Sequence, residues 1–354
     1  MTIPNESVAH YATPPRAKNS RGDTRRVGLE IELGNLTLEE TLKIVHDVVG
    51  GEIVSDSRTE GSVRETKFGK FKVEVDSTPL KERSYLRPLT ALGLDSDSPA
   101  LQAVEDGVLQ VAREFVPIEV VTPPIPWDRM RELDPLWEAL RMAGAEDTRS
   151  SLLHAYGLHL NPEPPDLEVG TILDTVRGFL LLEDWIMEAS DIDMSRLIAP
   201  YIRPFPEAYR RKVLTSTYRP TWEEFVDDYV TFSPTRNRPL DVLPLIAHIG
   251  APDLERRVED WALVGARPTF HYRLPNCELA QPGWTPAGDW NRWVAVEAVA
   301  DDKALLAELS KAYLETTDWP LRLQRGGWAE QIAARLGHDG KTAFKSAAST
   351  SLGG

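Results

Sequence analysis

The sequence predicts an α+β fold built on an antiparallel sheet. Three observations lead there. Short segments of alternating apolar and polar residues, the pattern of half-buried strands, recur from Arg26 to Leu274. Helical segments lie among them without the strict strand–helix alternation of a doubly wound parallel fold. From Asp289 to about Leu336 the pattern is mainly helical.

The elements follow in order. Residues 1 to about 24 are polar, carry Pro14-Pro15 and Asn19-Ser20-Arg21-Gly22-Asp23, and read as a disordered lead-in. The first strand is Arg26–Leu33. A helix runs from Thr37 to about Val49, where Thr37 and Glu40 have capping-box spacing and Gly50-Gly51 stops it. Strands are expected near Ile53 and over Phe68–Val75. Residues 77–115 read as an insertion, a Pro- and Ser-containing loop and then a helix opening at Ser98-Pro99. Ile118–Thr122 is a strand that Pro123-Pro124 ends. An amphipathic helix is expected over Asp128–Ala143 and a strand over Ala155–Asn161. Ile172–Met187 is apolar nearly all round, as a buried central helix is. Helices follow over Glu207–Leu214, Trp222–Val230 and Leu240–His248, and Pro268–Leu274 is the last strand. The expected division is a lead-in over 1–24, a main domain over 25–318 and a helical extension with a loose tail over 319–354.

The 354 residues, 42% of them hydrophobic, are enough for a substantial core. A formal net charge of −15 argues against a non-specific nucleic-acid binder, which needs a basic surface, and leaves room for a local basic pocket. Cys277 is the one cysteine, so no intrachain disulfide can form and a reducing compartment fits. No apolar run is long enough to span a bilayer and the N-terminus lacks a signal core, so a cytoplasmic protein without a membrane partner is expected.

Six segments place polar groups beside strand residues. In Val27–Leu33, Glu30 and Glu32 share a face opposite Leu29, Ile31 and Leu33. Two carboxylates side by side repel unless a cation or water intervenes; the same spacing also describes the wet face of an ordinary strand. Lys72, Glu74 and Asp76 share a face opposite Phe71, Val73 and Val75, which suits a cross-strand ion-pair ladder or a nucleotide site. Glu119 precedes Val120-Val121-Thr122-Pro123-Pro124. His159 alternates with Leu158 and Leu160 and shares its face with Asn161; His271 and Arg273 alternate with Phe270, Tyr272 and Leu274. A lone strand histidine is as well read as a hydrogen-bonded structural residue. Arg203, Arg210, Arg211, Lys212 and Arg219 form a basic run, either a solvated helix face or a contact for phosphate or carboxylate. Gly337-His338-Asp339-Gly340-Lys341-Thr342 is not a phosphate-binding loop, because the required first glycine falls on Arg335.

Taken in order, the Glu-x-Glu strand, the Asp-Ser strand end, Glu-Val-Val-Thr-Pro-Pro, Gly-x-His-x-Asn and the final strand with its arginine resemble the amidoligase family, over roughly residues 25–300. That family belongs to the glutamine synthetase and glutamate–cysteine ligase superfamily. The resemblance implies an antiparallel sheet of the glutamine synthetase catalytic-core type, with helices packed on one side. It implies an ATP-dependent carboxylate–amine ligase that joins a carboxylate substrate to an amine donor, an amino acid or peptide, through an acyl phosphate. ATP and Mg²⁺, with Mn²⁺ as an alternative, are the implied cofactors. Glu30, Glu32, Glu119, His159 and His271 then hold metal; Arg273, Glu30 and Glu119 are the catalytic candidates; Lys72, Asp76, Arg203 and Arg273 are the nucleotide candidates. The sequence departs from the family where His271 stands for a glutamate and Asn161 for a histidine. Imidazole binds divalent metal but supplies no negative charge.

The chemistry asks for such groups independently. A carboxylate is a poor electrophile until phosphorylation turns its oxygen into a leaving group, and in-line transfer needs cations on the phosphate oxygens. Two other readings use the same residues: a metal-dependent amide hydrolase, and a degenerate nucleotide-binding or scaffold protein. Oligomeric state is open.

Overall fold

The computed structural model describes residues 10–75, 117–147, 156–190, 202–316 and 325–336. Asp76, the segment read as an insertion over 77–115 and the tail from Gly337 lie outside the described residues. The fold is α+β; among the described residues nine strands lie in one sheet whose pairings are all antiparallel. The strands are β1 (Arg26–Leu33), β2 (Glu52–Ser55), β3 (Glu60–Thr66), β4 (Gly69–Val75), β5 (Ile118–Val121), β6 (Ile125–Pro126), β7 (Leu158–Pro162), β8 (Leu240–Asp241) and β9 (His271–Tyr272). Their order is β2-β3-β4-β5-β1-β7-β9-β8, with β6 pairing β1. The first strand in sequence therefore lies inside the sheet, between β5 and β7.

The helices are α1 (Leu38–Val49), α2 (Asp134–Met142), α3 (Val169–Ala189), α4 (Glu207–Leu214), α5 (Trp222–Phe232), α6 (Leu243–Ile249), α7 (Leu254–Arg257), α8 (Ala287–Asp301), α9 (Lys303–Thr316) and α10 (Arg325–Leu336). The expected capping box at Thr37 and Glu40 forms in both directions, and Gly50 ends α1 at φ 74°. α3 is the buried central helix, with apolar side chains inward on nearly every side. It packs on the sheet through Phe179, whose ring meets Tyr272 of β9, while Trp293 of α8 meets both Tyr272 and Phe270. α1 covers the other end of the same face: Leu42 lies so close to Gly61 of β3 that a Cβ there would stand 2.6 Å from a Leu42 methyl.

Several expectations differ from the outcome. Residues 10–24 are not a loose lead-in. Ala12 is buried, its N–H donates to Asn291 Oδ1 at 2.7 Å, and its carbonyl accepts the Trp290 indole N–H at 2.9 Å. The segment looks disordered by composition because much of its docking on α8 is through backbone groups, which leave no mark in the sequence, with Tyr11 and Ala12 the side chains that join the core. Arg25, at the edge of β1, enters a buried ion pair with Glu297 of α8, and Trp293 Nε1 donates to the same carboxylate at 2.7 Å. β3 shows little apolar pattern, since only Val63 is a large apolar residue in Glu60–Thr66. The helix expected over Asp128–Ala143 begins as a 3₁₀ turn over Trp127–Leu133, and the α-helix starts only at Asp134, where Pro135 fits the first turn. The helix expected over Leu240–His248 splits into β8 and α6 for the same reason, with Pro244 in the first turn of α6. The last strand shortens to His271–Tyr272, although Arg273 still donates its N–H to the Pro239 carbonyl at 2.9 Å.

One close approach sets how α3 and α8 meet. A Cβ at Gly178 would lie 2.7 Å from the Val296 carbonyl oxygen, which is backbone and has no side chain to swing away. Replacing Gly with Ala in a helix ordinarily gains about 1 kcal/mol, whereas overpacking costs about 1–3 kcal/mol. The net is a loss of up to about 2 kcal/mol, so Gly178→Ala should lower the melting temperature by a few degrees at most. A melting temperature equal to or above wild type would show that the two helices have room to part.

Candidate functional site

Strand register decides which polar side chains meet. On β1, Val27, Leu29, Ile31 and Leu33 are buried toward the helices, and Gly28, Glu30 and Glu32 turn to the other face. There Glu32 stands opposite Glu119 of β5, Glu30 opposite His159 of β7, and Gly28 opposite Asn161. On β9, Tyr272 faces the helices, so His271 and Arg273 flank it on the polar face, and His271 pairs with Asp241 of β8. The row through Glu32 continues outward, Glu119 facing Glu74 and Glu74 facing Glu60. Like charges directly opposite each other destabilise a sheet. Lys72 offsets the outer pair: its Nζ donates to Glu74 at 2.8 Å and lies 3.5 Å from Glu60. Partial burial works against the Lys72 charge, but these carboxylates outweigh it and raise its pKa.

The inner residues form two groups of candidate metal ligands, Glu30–His159–His271 and Glu32–Glu119–His159, the ligand atoms of each within 4.8 Å of one another. His159 belongs to both. Its Nδ1 lies 3.1 Å from Glu30 Oε2 and its Nε2 lies 3.8 Å from Glu32 Oε1. An ionised carboxylate only accepts, so Nδ1 carries the proton and Nε2 keeps its lone pair toward Glu32 and Glu119. This is the carboxylate–histidine arrangement by which an outer carboxylate orients a metal-binding imidazole. The Gly157 N–H donates to Glu32 Oε2 at 2.6 Å and leaves Oε1 facing Nε2. Two ligand atoms each about 2.1 Å from one ion stand roughly 3–4 Å apart, and the Nε2–Oε1 separation falls within that span. Two carboxylates and one imidazole suit Mg²⁺ or Mn²⁺.

Glu30 is better supplied with partners. Besides His159 it accepts from Asn161 Nδ2 at 2.9 Å, and the Arg267 guanidinium lies 3.3 Å from its Oε1. Burial alone would push the Glu30 carboxyl up; the neighbouring His271 and His159 rings and Arg267 outweigh it and hold it well below the usual carboxylate range. His271 Nδ1 lies 2.8 Å from Asn161 Oδ1 and 2.9 Å from Arg267 Nη2. The Asn161 amide group serves Glu30, so its oxygen faces His271 and calls for Nδ1 as donor, whereas the guanidinium can only donate and calls for Nδ1 as acceptor; one Nδ1 meets one of these demands at a time. Burial, with His159, Arg267 and Arg273 nearby, holds the His271 pKa well below its usual value against the pull of Glu30. The rings of His159 and His271 meet edge to face, centroids 5.0 Å apart.

The opposite end of this face is basic. Arg273 is buried, and its Nη1 donates to the Arg236 carbonyl at 3.1 Å and to Asn237 Oδ1 at 3.3 Å. Asp241 sits among Arg273, Arg236 and Arg267; burial pushes its carboxyl up to about 6, even though these cations and the Leu243 N–H pull it down.

The structure thus brings together Glu30, Glu32, Glu119, His159, His271 and Arg273. Lys72 shares their face but is held in the outer carboxylate ladder. Arg203 does not join them: its side chain is exposed and pairs with Glu259 at 3.2 Å, and only its backbone N–H reaches inward, to the Asn237 carbonyl. Of the rest of the basic run, Arg210 pairs with buried Glu183, Arg211 with Glu207 and Lys212 with Asp228, while Arg219 donates to the Tyr218 carbonyl.

A family model described as "Putative amidoligase enzyme" matches residues 23–295. The chain belongs to the amidoligase family. No curated protein and no solved structure matches it. None of the described helices is long and apolar enough to cross a membrane. For this amidoligase, motif order placed the strand carboxylates and histidines, but not Arg267, Asp241, Asn237 or Arg236, which lie in or beside loops without periodicity. Pro239 and Pro244 around Asp241 were the one available signal, since a helix cannot run through them unbroken.

Same-face spacing alone suggests that Glu30→Gln relieves repulsion. The donors around Glu30 reverse that sign. A carboxyl held below its unfolded value, about 4.3, adds stability that is complete above that pH and is lost as pH falls through the folded value. Glu30→Gln should therefore melt below wild type at pH 7, and the two curves should converge as pH falls below about 4. A gap that persists unchanged in acid would show that Glu30 is not held as a buried carboxylate.

Proposed function

We propose that the chain is an ATP-dependent carboxylate–amine ligase that forms an amide or isopeptide bond through an acyl phosphate. Family membership supports amide-bond ligation. The observation that carries the rest is the line from Glu30 through His159 to Glu32 and Glu119, beside buried Arg273 on one sheet face. In this reading Glu32, Glu119 and His159 hold a divalent cation, Mg²⁺ or Mn²⁺, with Glu30 orienting His159. Such a cation would neutralise phosphate oxygens and so favour phosphoryl transfer.

The remaining roles belong to the chain. Arg273, fixed by Asn237 and the Arg236 carbonyl, presents positive charge to the transferring phosphoryl group. Its anchorage means that it does not reorganise as charge develops. Asp241 balances the three guanidinium groups around it and keeps that end of the face from excess positive charge. The sheet supports these groups on strands rather than loops, which favours fixed geometry. The substrate carboxylate and the amine, an amino acid or a peptide, would meet on this face. The acidic end of that face suits an ammonium-bearing donor and the basic end suits the carboxylate and nucleotide. The glutamine synthetase type of core follows from this reading as its expected architecture.

ADP release decides between ligase and hydrolase. With Mg²⁺ and ATP, a screen of carboxylates with amino acids and peptides should find ADP release that requires both partners. Cleavage of an amide with metal alone and no ADP would favour the hydrolase. Glu32→Gln should abolish metal-dependent turnover. Arg273→Lys keeps the charge but loses the planar fork; turnover should fall on the order of a hundredfold, since such a transition-state contact is worth about 3 kcal/mol. Full activity in Arg273→Lys would remove Arg273 from the phosphoryl group.

A further inference from the structure

The second ligand group, Glu30–His159–His271, has the donors for a cation but not the charge. We infer that the Arg267 guanidinium is the resident cation of that group, so that the two ligand groups, the ones found among the described residues, together bind a single divalent ion, at Glu32–Glu119–His159. This inference rests on the metal reading of the site given above.

Three observations support it. First, Arg267 Nη2 is 3.3 Å from Glu30 Oε1 and 2.9 Å from His271 Nδ1, so the guanidinium stands against two of the three members of the group. Second, the charge is already balanced. Glu30 is the only carboxylate of the group, His271 supplies none, and one guanidinium offsets one carboxylate. A divalent ion added there would meet Arg267 at short range beside buried Glu30 and His271; the guanidinium itself is partly exposed, so the repulsion is screened in part but still exceeds that in bulk water. Third, His159 has one lone pair to give. With its Nδ1 proton on Glu30, only Nε2 can bind metal, and Nε2 faces Glu32. An ion in each group would require His159 to lose a second proton. The histidine at position 271 and the arginine at position 267 thus act together: loss of a carboxylate leaves a site whose remaining charge one guanidinium satisfies.

The test is a count of bound Mn²⁺ by the loss of its free-ion resonance signal as the full-length protein is titrated, with no turnover involved. Wild type should bind one ion, and Glu32→Gln should lose it. Arg267→Gln and Arg267→Ala, which remove the charge, should each bind a second ion, at least tenfold more weakly than the first because only Glu30 and His271 remain to hold it. Arg267→Lys, which keeps the charge, should still bind one. Thermal unfolding of each variant checks that it is folded, and two neutral variants guard against one that is not. Two ions in wild type, with one lost in Glu30→Gln, would overturn the inference, as would a single ion in both neutral variants. A wild type that binds none would remove the metal from the proposed function, yet a gain from none to one in Arg267→Gln would still support the role of Arg267. No ion in any of them would sink both.

Discussion

The hydrogen bond between Glu30 and His159 Nδ1 is the contact on which the site depends. It joins neighbouring residues of β1 and β7 directly across the sheet, so it forms only if the register of these two strands is right. A slip of one residue would turn Glu30 and Glu32 into the helix-covered core and bring Leu29 and Ile31 out. Burial of Leu29, Ile31 and Leu33 therefore sets the register, and the register sets the imidazole. Once Nδ1 is committed as a donor, Nε2 is left as the acceptor that faces Glu32.

The same face is graded in charge. Glu60, Glu74, Glu119 and Glu32 lie in one cross-strand row, with Lys72 set against the outer members. Beyond β7 the balance reverses, through Arg267 and Arg273, with Asp241 between them and Arg236. Such a face suits cations at one end and anions at the other. The polar groups that serve it are mostly committed to partners, as buried polar groups are. Glu32 and His159 each keep one atom turned to the other, which is the feature that separates a ligand cluster from a ladder of ion pairs.

Much of this was legible in the sequence. The alternation in Arg26–Leu33 located β1 to the residue, because strand period and burial coincide there. The capping box gave the start of α1. The polar face of β7 and β9 was legible for the same reason as β1. What escaped was whatever depends on chain segments meeting at a distance. Residues 10–24 look loose until α8 supplies the indole and amide that bind their backbone. Arg267 looks like an ordinary loop arginine until β7 and β9 bring Glu30 and His271 to it. The role of Arg203 illustrates the converse: a basic residue near an apolar strand-like stretch turned out to touch the site region only through its backbone.

The central claim is that one imidazole, that of His159, binds a divalent ion beside Glu32 and Glu119. Electron spin-echo spectroscopy of the Mn²⁺-loaded protein reads nitrogen ligands directly. The account predicts coupling to a single imidazole nitrogen that survives His271→Ala and vanishes in His159→Ala. Coupling to two imidazoles, or a signal lost with His271 and kept without His159, would contradict it.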